Sequence, residues 1–371
     1  MRKDINFVKS SGQHSRQAHR DLPEGSFERE MGREGFFGAA THLYHRRPPT
    51  SWTNIEGPMK PRLFHGEGLF SGELLNAESE LLVNSTCRVA TASVHTDMTH
   101  LVRNADGDTL LFVHSGEGLL FCDFGTLDLT SGDYIVIPRG VMFRIETAGM
   151  KLLTVEATGS HYQLPDKGML GPHAIFDPAV LVTPEIDERF KSQHDNAVDV
   201  RVKSRQQWST MSYPHNPLDA LGWKGDNLVV KVNWRDICPV MSHRYHVPPS
   251  AHTTFVAPRF VVCTFAPRLI ETDPTALKVP FYHSNDDFEE LIFYHQGEFF
   301  SRDNVEPGSL TLHPMGLPHG PHPKALEKSW KEPKAMTDEV AVMIDARDPW
   351  DLCDHAIKHE WSGYVHSWKS E

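Results

Sequence analysis

Cysteine is sparse and scattered in this chain. The five residues Cys87, Cys122, Cys238, Cys263 and Cys353 are odd in number and form no CxxC pair, which argues against a disulfide framework or a thiolate zinc site and for a reducing compartment. Long hydrophobic runs are missing as well. Nowhere do about eighteen apolar residues stand together, and Met1 to Asn6 lead into polar sequence without the apolar stretch of a signal peptide. A soluble, cytoplasmic protein is expected. Positive charge is in deficit: 37 Lys and Arg against 49 Asp and Glu give −12 with His neutral, and no basic stripe interrupts that background. A nucleic-acid or anionic-membrane partner is therefore not expected.

What is present is a globular composition, with 39% hydrophobic, 23% charged and 10% aromatic residues over 371 positions. That length predicts two domains or one large double-layer β fold. The unusual count is His, at 23, the side chain most used for metal binding and for proton transfer near neutral pH. Residues 1–60 read as a polar, Gly/Pro-punctuated arm that wraps over a body. Short Val/Leu/Ile/Phe-rich runs follow over 61–165, among them Thr109 to His114, Gly118 to Cys122 and Tyr134 to Ile137. Residues 166–226 form a polar connection with a helical piece around Ile186 to Gln193. A second β-rich stretch fills 227–371, including Asn227 to Val232, Phe260 to Phe265, Leu291 to Tyr294 and Glu339 to Ile344, with a short helix around Leu352 to His359.

The two β-rich stretches repeat each other. Thr109 to Glu117 and Glu290 to Glu298 both read xLxFxHxGE. Each is followed by a glycine (Gly132, Gly308), a proline six residues on (Pro138, Pro314), a glycine two further (Gly140, Gly316) and a terminal position three beyond (Phe143, His319). The pair resembles the two motifs of the cupin barrel, which predicts an all-β bicupin: two jelly-roll β-barrels with an N-terminal wrapping segment and short helices. In cupins the acid of the first motif and the His closing the second are metal ligands. The resemblance therefore implies Glu290 and His319, with His283 upstream, as a metal set. The first half has Thr109 and Phe143 in those slots, so its barrel is expected to be a degenerate structural partner. Strand alternation puts Glu290, Ile292 and Tyr294 on one face and Glu289, Leu291, Phe293 and His295 on the other. Glu290 is preferred for its seven-residue distance to Gly297, and Glu289 stays open as a rival. Two His and one carboxylate leave three coordination positions free, which suits Fe(II); a structural Zn²⁺ or Mn²⁺ cupin would use the same ligands. His295 is expected to be a surface or packing residue, and its counterpart His114 supports a structural role for both.

Further stretches narrow the match. Gln17 to Gly25, Gly32 to Gly38, His42 to Pro49, Tyr282 to Asn285, Phe293 to Phe299 and Pro318 to Pro321 resemble homogentisate 1,2-dioxygenases of the shorter bacterial form. That resemblance implies an Fe(II) enzyme of tyrosine and phenylalanine catabolism that opens the homogentisate ring with O₂ to give maleylacetoacetate. It implies His283, Glu290 and His319 as iron ligands, His246 as the acceptor of a phenolic proton, and His313, Tyr282 and Phe299 on the substrate side. The chain departs from the longer eukaryotic form in two places: seven residues instead of six separate His283 from Glu290, and Phe299 stands where that form has a Tyr. Arg244, Arg268, Arg302 and Tyr282 are candidates to hold the substrate carboxylate. His42 and His45 either close a pocket or anchor the arm. A homo-oligomer is implied by the family and by a wrapping arm. Gentisate or another hydroquinone is the neighbouring substrate class, and a non-oxidative metal-binding or isomerase cupin is the alternative of another kind.

Overall fold

The computed structural model describes residues 7–66, 68–299, 301–302, 304–331 and 334–368, without the side chains of 329 and 330; the opening stretch Met1 to Asn6 lies outside them. Two barrels dominate. The N-terminal one has a seven-stranded sheet in the order Val230–Asn233, Asp133–Ile137, Gly107–Gly116, Met150–Thr158, Cys87–Val94, Glu80–Val83, Asp351–Leu352. Its second sheet has six strands, in the order Gln207–Tyr213, Val198–Ser204, Leu101–Asn104, Met142–Glu146, Gly118–Cys122, Gly125–Leu129. The C-terminal barrel has a six-stranded sheet, Thr253–Ala257, Phe260–Phe265, Val340–Ala346, Glu289–Gln296, Leu310–His313, Arg62–Phe64, and a three-stranded one, Tyr282–Asn285, Phe27–Gly32, Ala40–His45.

Alternation along the strands separates two cores. Leu111, Val113, Ile135, Ile137 and Leu152 point into the N-terminal barrel and meet Leu120, Cys122, Phe143 and Ile145. The intervening residues Leu110, Phe112, Tyr134, Val136, Leu153 and Val155 point the other way, against Leu291, Phe293, Val262, Val342 and Ile344 of the C-terminal sheet. Both faces of these central strands are buried, which is why they read as unbroken apolar runs. Each such side chain contributes about 1.5–3 kcal/mol by burial, so the barrels are joined by a continuous core. The N-terminal barrel is filled with apolar groups. Phe143 lies in its core, and the Thr109 hydroxyl accepts a bond from Asn104 Nδ2 at 3.0 Å.

Strands cross the expected boundaries in both directions. Val230–Asn233 pairs with Asp133–Ile137 of the first barrel, while Arg62–Phe64 pairs with Leu310–His313 of the second. Each exchange covers a sheet edge that would otherwise expose unpaired backbone groups. The arm, expected as a loop, contains a hairpin of Phe27–Gly32 and Ala40–His45 that adds to the strand Tyr282–Asn285 in parallel, with Glu30 opposite His283. Its inward side chains include Glu28 and Glu30, so the apolar alternation that reveals a half-buried strand is absent from the sequence. The connecting segment likewise holds a hairpin, Val198–Ser204 with Gln207–Tyr213, whose second strand is largely exposed and polar. The helix expected near Ile186 to Gln193 is one turn, Glu188–Lys191, capped by the Asp187 carboxylate on the Phe190 N–H. No described helix is long and apolar enough to cross a membrane.

The repeat glycine after each first motif has a steric reason. Gly297 sits at φ 92°, and a Cβ there would stand 2.2 Å from the Asp338 carbonyl oxygen; Gly116 at φ 94° meets Gly149 in the same way. Just before them, His114 and His295 meet across the barrel interface with their Nδ1 atoms 3.1 Å apart. Burial, then the Lys151 charge, lowers His114 to about 4; burial, then His114 and Arg235, lowers His295 to about 3. Unfolded, both rings titrate near 6.5. The unfolded chain thus binds more protons between about pH 3 and 6.5, and stability should rise with pH across that window and level off above it, by up to about 1.4 kcal/mol per pH unit for each ring. Urea melts at pH 7 and 4.5 check this: the double variant His114→Leu/His295→Leu should lose less stability on acidification than the unaltered chain. An equal loss would show that other groups set the acid limit.

Candidate metal centre

The six-stranded C-terminal sheet turns Ile292 and Tyr294 into the barrel, where they pack with Cys263, Met343 and Phe299. Glu290 shares that face. Glu289 points away and accepts a hydrogen bond from the Trp350 backbone N–H at 2.8 Å, so Glu290 is the acid that looks into the barrel. His283 comes from the opposite, three-stranded sheet. His319 follows the strand Leu310–His313 and is clipped to His283 by two backbone bonds of 2.9 and 2.8 Å. That close approach needs Gly320, since a Cβ there would stand 2.6 Å from the Tyr282 ring and 3.0 Å from the Phe281 carbonyl.

Three side chains converge. His283 Nε2 and His319 Nε2 each stand 3.4 Å from Glu290 Oε2, and one donor atom from each residue lies within 4.8 Å of the others. His319 donates Nδ1–H to the Leu317 carbonyl at 3.1 Å, which leaves a lone pair on Nε2. That atom is buried without a hydrogen-bond partner among the described residues. Burial pushes the Glu290 carboxyl up, but the neighbouring His319 and the bonds from His283 and His313 outweigh it and hold the group well below the usual carboxylate range. Two neutral-capable imidazoles and an ionised carboxylate around one point are a donor set for a divalent transition metal.

A second layer holds the acid. His313, opposite Glu290 in the strand register, donates Nδ1–H to Glu290 Oε1 at 2.7 Å, and its Nε2 accepts from the Tyr364 hydroxyl at 3.2 Å. Burial, against the Glu290 bond, pushes this ring down to about 3. Both ring nitrogens are thus engaged by protein, in the pattern that orients a metal-binding carboxylate. Asp345 is the cross-strand neighbour of Glu290. Burial and then the Glu290 charge raise its carboxyl well above the usual range.

The remaining candidates lie around this centre. His246 stacks on Phe281 at 3.5 Å between ring centroids, and Phe281 in turn lies 5.0 Å from the His283 ring. Burial, then the neighbouring His19, lowers His246 well below 6.5, so it is neutral near pH 7. Phe299 packs on Tyr294, and with Tyr282 it lines a cavity of about 940 Å³. A smaller cavity of about 90 Å³ touches His283 and Glu290 directly, and Arg302 and Phe281 border both. Arg302 spends Nη1 on the Gly320 and Ser301 carbonyls, at 2.7 and 3.2 Å. Arg268 is paired with Glu339 at 3.3 Å, and Arg244 is exposed and bonded to Gln17. His42 lies against Glu28 of the arm hairpin at 3.5 Å. Four contributors had no place in the sequence reading of the site: Glu28, Glu30, Asp345 and Tyr364. Only the E-x-E alternation of Glu28 and Glu30 was available as a signal, and without an apolar partner face it did not identify a strand.

Two fused jelly rolls, one packed solid and one carrying two His and a carboxylate on its inner face, define a bicupin with a candidate metal centre. Comparison with known proteins sharpens this class. Residues 39–233 match the model for the N-terminal region of homogentisate 1,2-dioxygenase, and residues 240–370 match the model for its C-terminal region. The chain belongs to the homogentisate 1,2-dioxygenase family. It is 31% identical over 369 residues, 94% of each chain, to a Saccharolobus solfataricus protein named "Putative dioxygenase". It is also 29% identical over 284 residues to homogentisate 1,2-dioxygenase of Rhizobium leguminosarum and 28% to that of Bradyrhizobium diazoefficiens. Those alignments take in 71% and 72% of this chain and 61% and 62% of the relatives. Among solved structures it is similar to a cupin 2 conserved barrel domain protein from Leptotrichia buccalis, with TM-score 0.35, 12% identity and coverage of 80% of this chain and 99% of that one.

Proposed function

We propose that the protein is a cytoplasmic Fe(II)-dependent dioxygenase that opens the ring of homogentisate with O₂ to give maleylacetoacetate, as part of tyrosine and phenylalanine breakdown. The observation that carries this is the convergence of His283 Nε2, His319 Nε2 and Glu290 Oε2 inside the C-terminal barrel, in a chain of this family. A bound Fe(II) would be held by those three atoms and would supply the electron route between the aromatic ring and O₂, while acidifying a phenol beside it. The small cavity at His283 and Glu290 has room for about three waters, which suits small groups on the open side. The larger cavity, walled by Phe281, Tyr282 and Phe299, suits the aromatic ring.

The chain's own groups do the proton and positioning work. His246, with Nε2 unpartnered among the described residues and the Phe281 ring between it and His283, is the group assigned to accept a phenolic proton. His313 and Tyr364 fix Glu290 so that Oε2 faces the two imidazoles. Arg302, at the border of both cavities, holds the substrate carboxylate, since Arg268 is already paired and Arg244 lies at the surface. On this reading Arg302→Met should raise KM for homogentisate about 10- to 100-fold, the loss of one charge-assisted hydrogen bond, with a smaller change in kcat. A hydroquinone without a carboxylate should be indifferent to the change, and equal losses for both would remove Arg302 from this role.

Anaerobic loading with Fe(II), followed by oxygen uptake and the ultraviolet product spectrum with homogentisate and gentisate side by side, tests the whole reading. Uptake with homogentisate and a maleylacetoacetate spectrum is expected. Uptake with gentisate alone would keep the chemistry and change the substrate, and no uptake with any hydroquinone would point to a non-oxidative cupin.

A further inference from the structure

The arm brings a second His and carboxylate set against the barrel, outside the centre described above. His19, Glu30 and His246 each offer one donor atom, and these lie within 4.8 Å of one another. Their outer partners fix which nitrogens are free. His19 donates Nδ1–H to Glu28 Oε1 at 2.5 Å, so its lone pair is on Nε2, 3.5 Å from Glu30 Oε2. His246 turns Nδ1 to the Leu277 carbonyl at 3.4 Å, so its lone pair is also on Nε2. An oxygen acceptor on the far nitrogen is the usual support of a metal-bound imidazole.

The donors are also unspent. His246 Nε2 and Glu30 Oε2 have no hydrogen-bond partner among the described residues, although His246 is 2% and Glu30 6% exposed. Buried polar atoms left in that condition are costly, and one cation satisfies them together. His19 is held for the purpose: its φ is 65°, and its carbonyl accepts the Leu277 N–H at 2.7 Å. The other side of His19, with Glu28 and His42, is a competing triad, but an ion there would have to break the short His19–Glu28 bond. Glu28, behind His19, also lines the 940 Å³ cavity.

We propose that His19, Glu30 and His246 form a second divalent transition-metal site, of the imidazole and carboxylate kind that takes Zn²⁺ or Co²⁺, and that filling it inhibits turnover by occupying the lone pair of His246. The inhibition rests on His246 acting as the base; the binding does not.

Co²⁺ added anaerobically to the metal-free full-length chain, followed by equilibrium dialysis and the visible cobalt spectrum, reads the stoichiometry. Two equivalents per chain are expected. Glu290→Gln should keep the arm's equivalent, Glu30→Gln should lose it, and Glu28→Gln should weaken it about 10- to 100-fold. His42→Asn should retain it. One equivalent in the unaltered chain overturns the proposal whatever the variants do. So does a second equivalent that survives Glu30→Gln, or one that is lost in a folded His42→Asn, which places the ion on the Glu28 side. In the iron-loaded protein, Zn²⁺ should lower oxygen uptake, and the ratio of inhibited to uninhibited rate should move toward one in Glu30→Gln. Two bound equivalents without inhibition would keep the site and overturn its effect on turnover.

Discussion

Replacing His319 by alanine is expected to give a folded chain that holds no iron at the His283–Glu290–His319 centre and consumes no measurable O₂ with homogentisate. The backbone bonds between positions 283 and 319 do not involve the side chain, so the strand pairing that shapes the centre survives. What is lost is one of three donors, and with it an imidazole that helps hold Glu290 well below the usual carboxylate range. The residual buried carboxylate then faces His283 and His313 alone. Changing a group behind a metal ligand already costs about 10- to 100-fold in affinity, and removing the ligand itself should cost more. Iron content after gel filtration, with a thermal melt to confirm folding, checks the result. An iron-replete, active His319→Ala variant would remove this residue from the metal set. His283→Ala should behave alike.

His246→Phe should separate binding from chemistry. Phenylalanine has nearly the shape of the imidazole and fits the slot between His19 and Phe281, where the ring stacks on Phe281 at 3.5 Å and meets His19 at a tilt, 3.8 Å between centroids. Iron at the His283–Glu290–His319 centre should therefore be retained, while kcat falls about 10²- to 10⁴-fold, the usual worth of a positioned general base. Burial, and then the neighbouring His19, lower the unaltered ring well below 6.5. The acid limb of kcat/KM assigned to this base should accordingly lie below 6.5, with activity falling as pH drops through it and level above it. Oxygen-uptake profiles between pH 5 and 8 check both points. Normal turnover by the Phe variant would end the assignment of His246 as the base.

The single acidic residue that matters most shows how far the sequence reaches. Its spacing to Gly297 made Glu290 the preferred acid, and strand alternation set its face against that of Glu289. Neither shows what lies across the barrel. The structure adds that Glu289 is spent on the Trp350 N–H, while Glu290 has an imidazole on each side of Oε2 and His313 behind Oε1. His313 was legible through the family resemblance, read as a substrate contact. Its two occupied nitrogens place it behind the carboxylate, because Tyr364 arrives from the chain's far end to fill the second one.

The repeated block in the sequence, through its resemblance to the cupin motifs, pointed to the two-barrel plan, to a first barrel without metal ligands and to His283, Glu290 and His319 as the candidate set in the second. These rest on signals carried within one segment: period-two apolar runs, the glycines after each first motif and the register of a repeated block. Tertiary structure alone decided what the arm does. Its hairpin buries Glu28 and Glu30 beside His19 and His246, and a strand with charged inward positions has no apolar period to betray it. Its burial is stabilised by pairing with residues some 250 positions away, so no local pattern in the sequence records it.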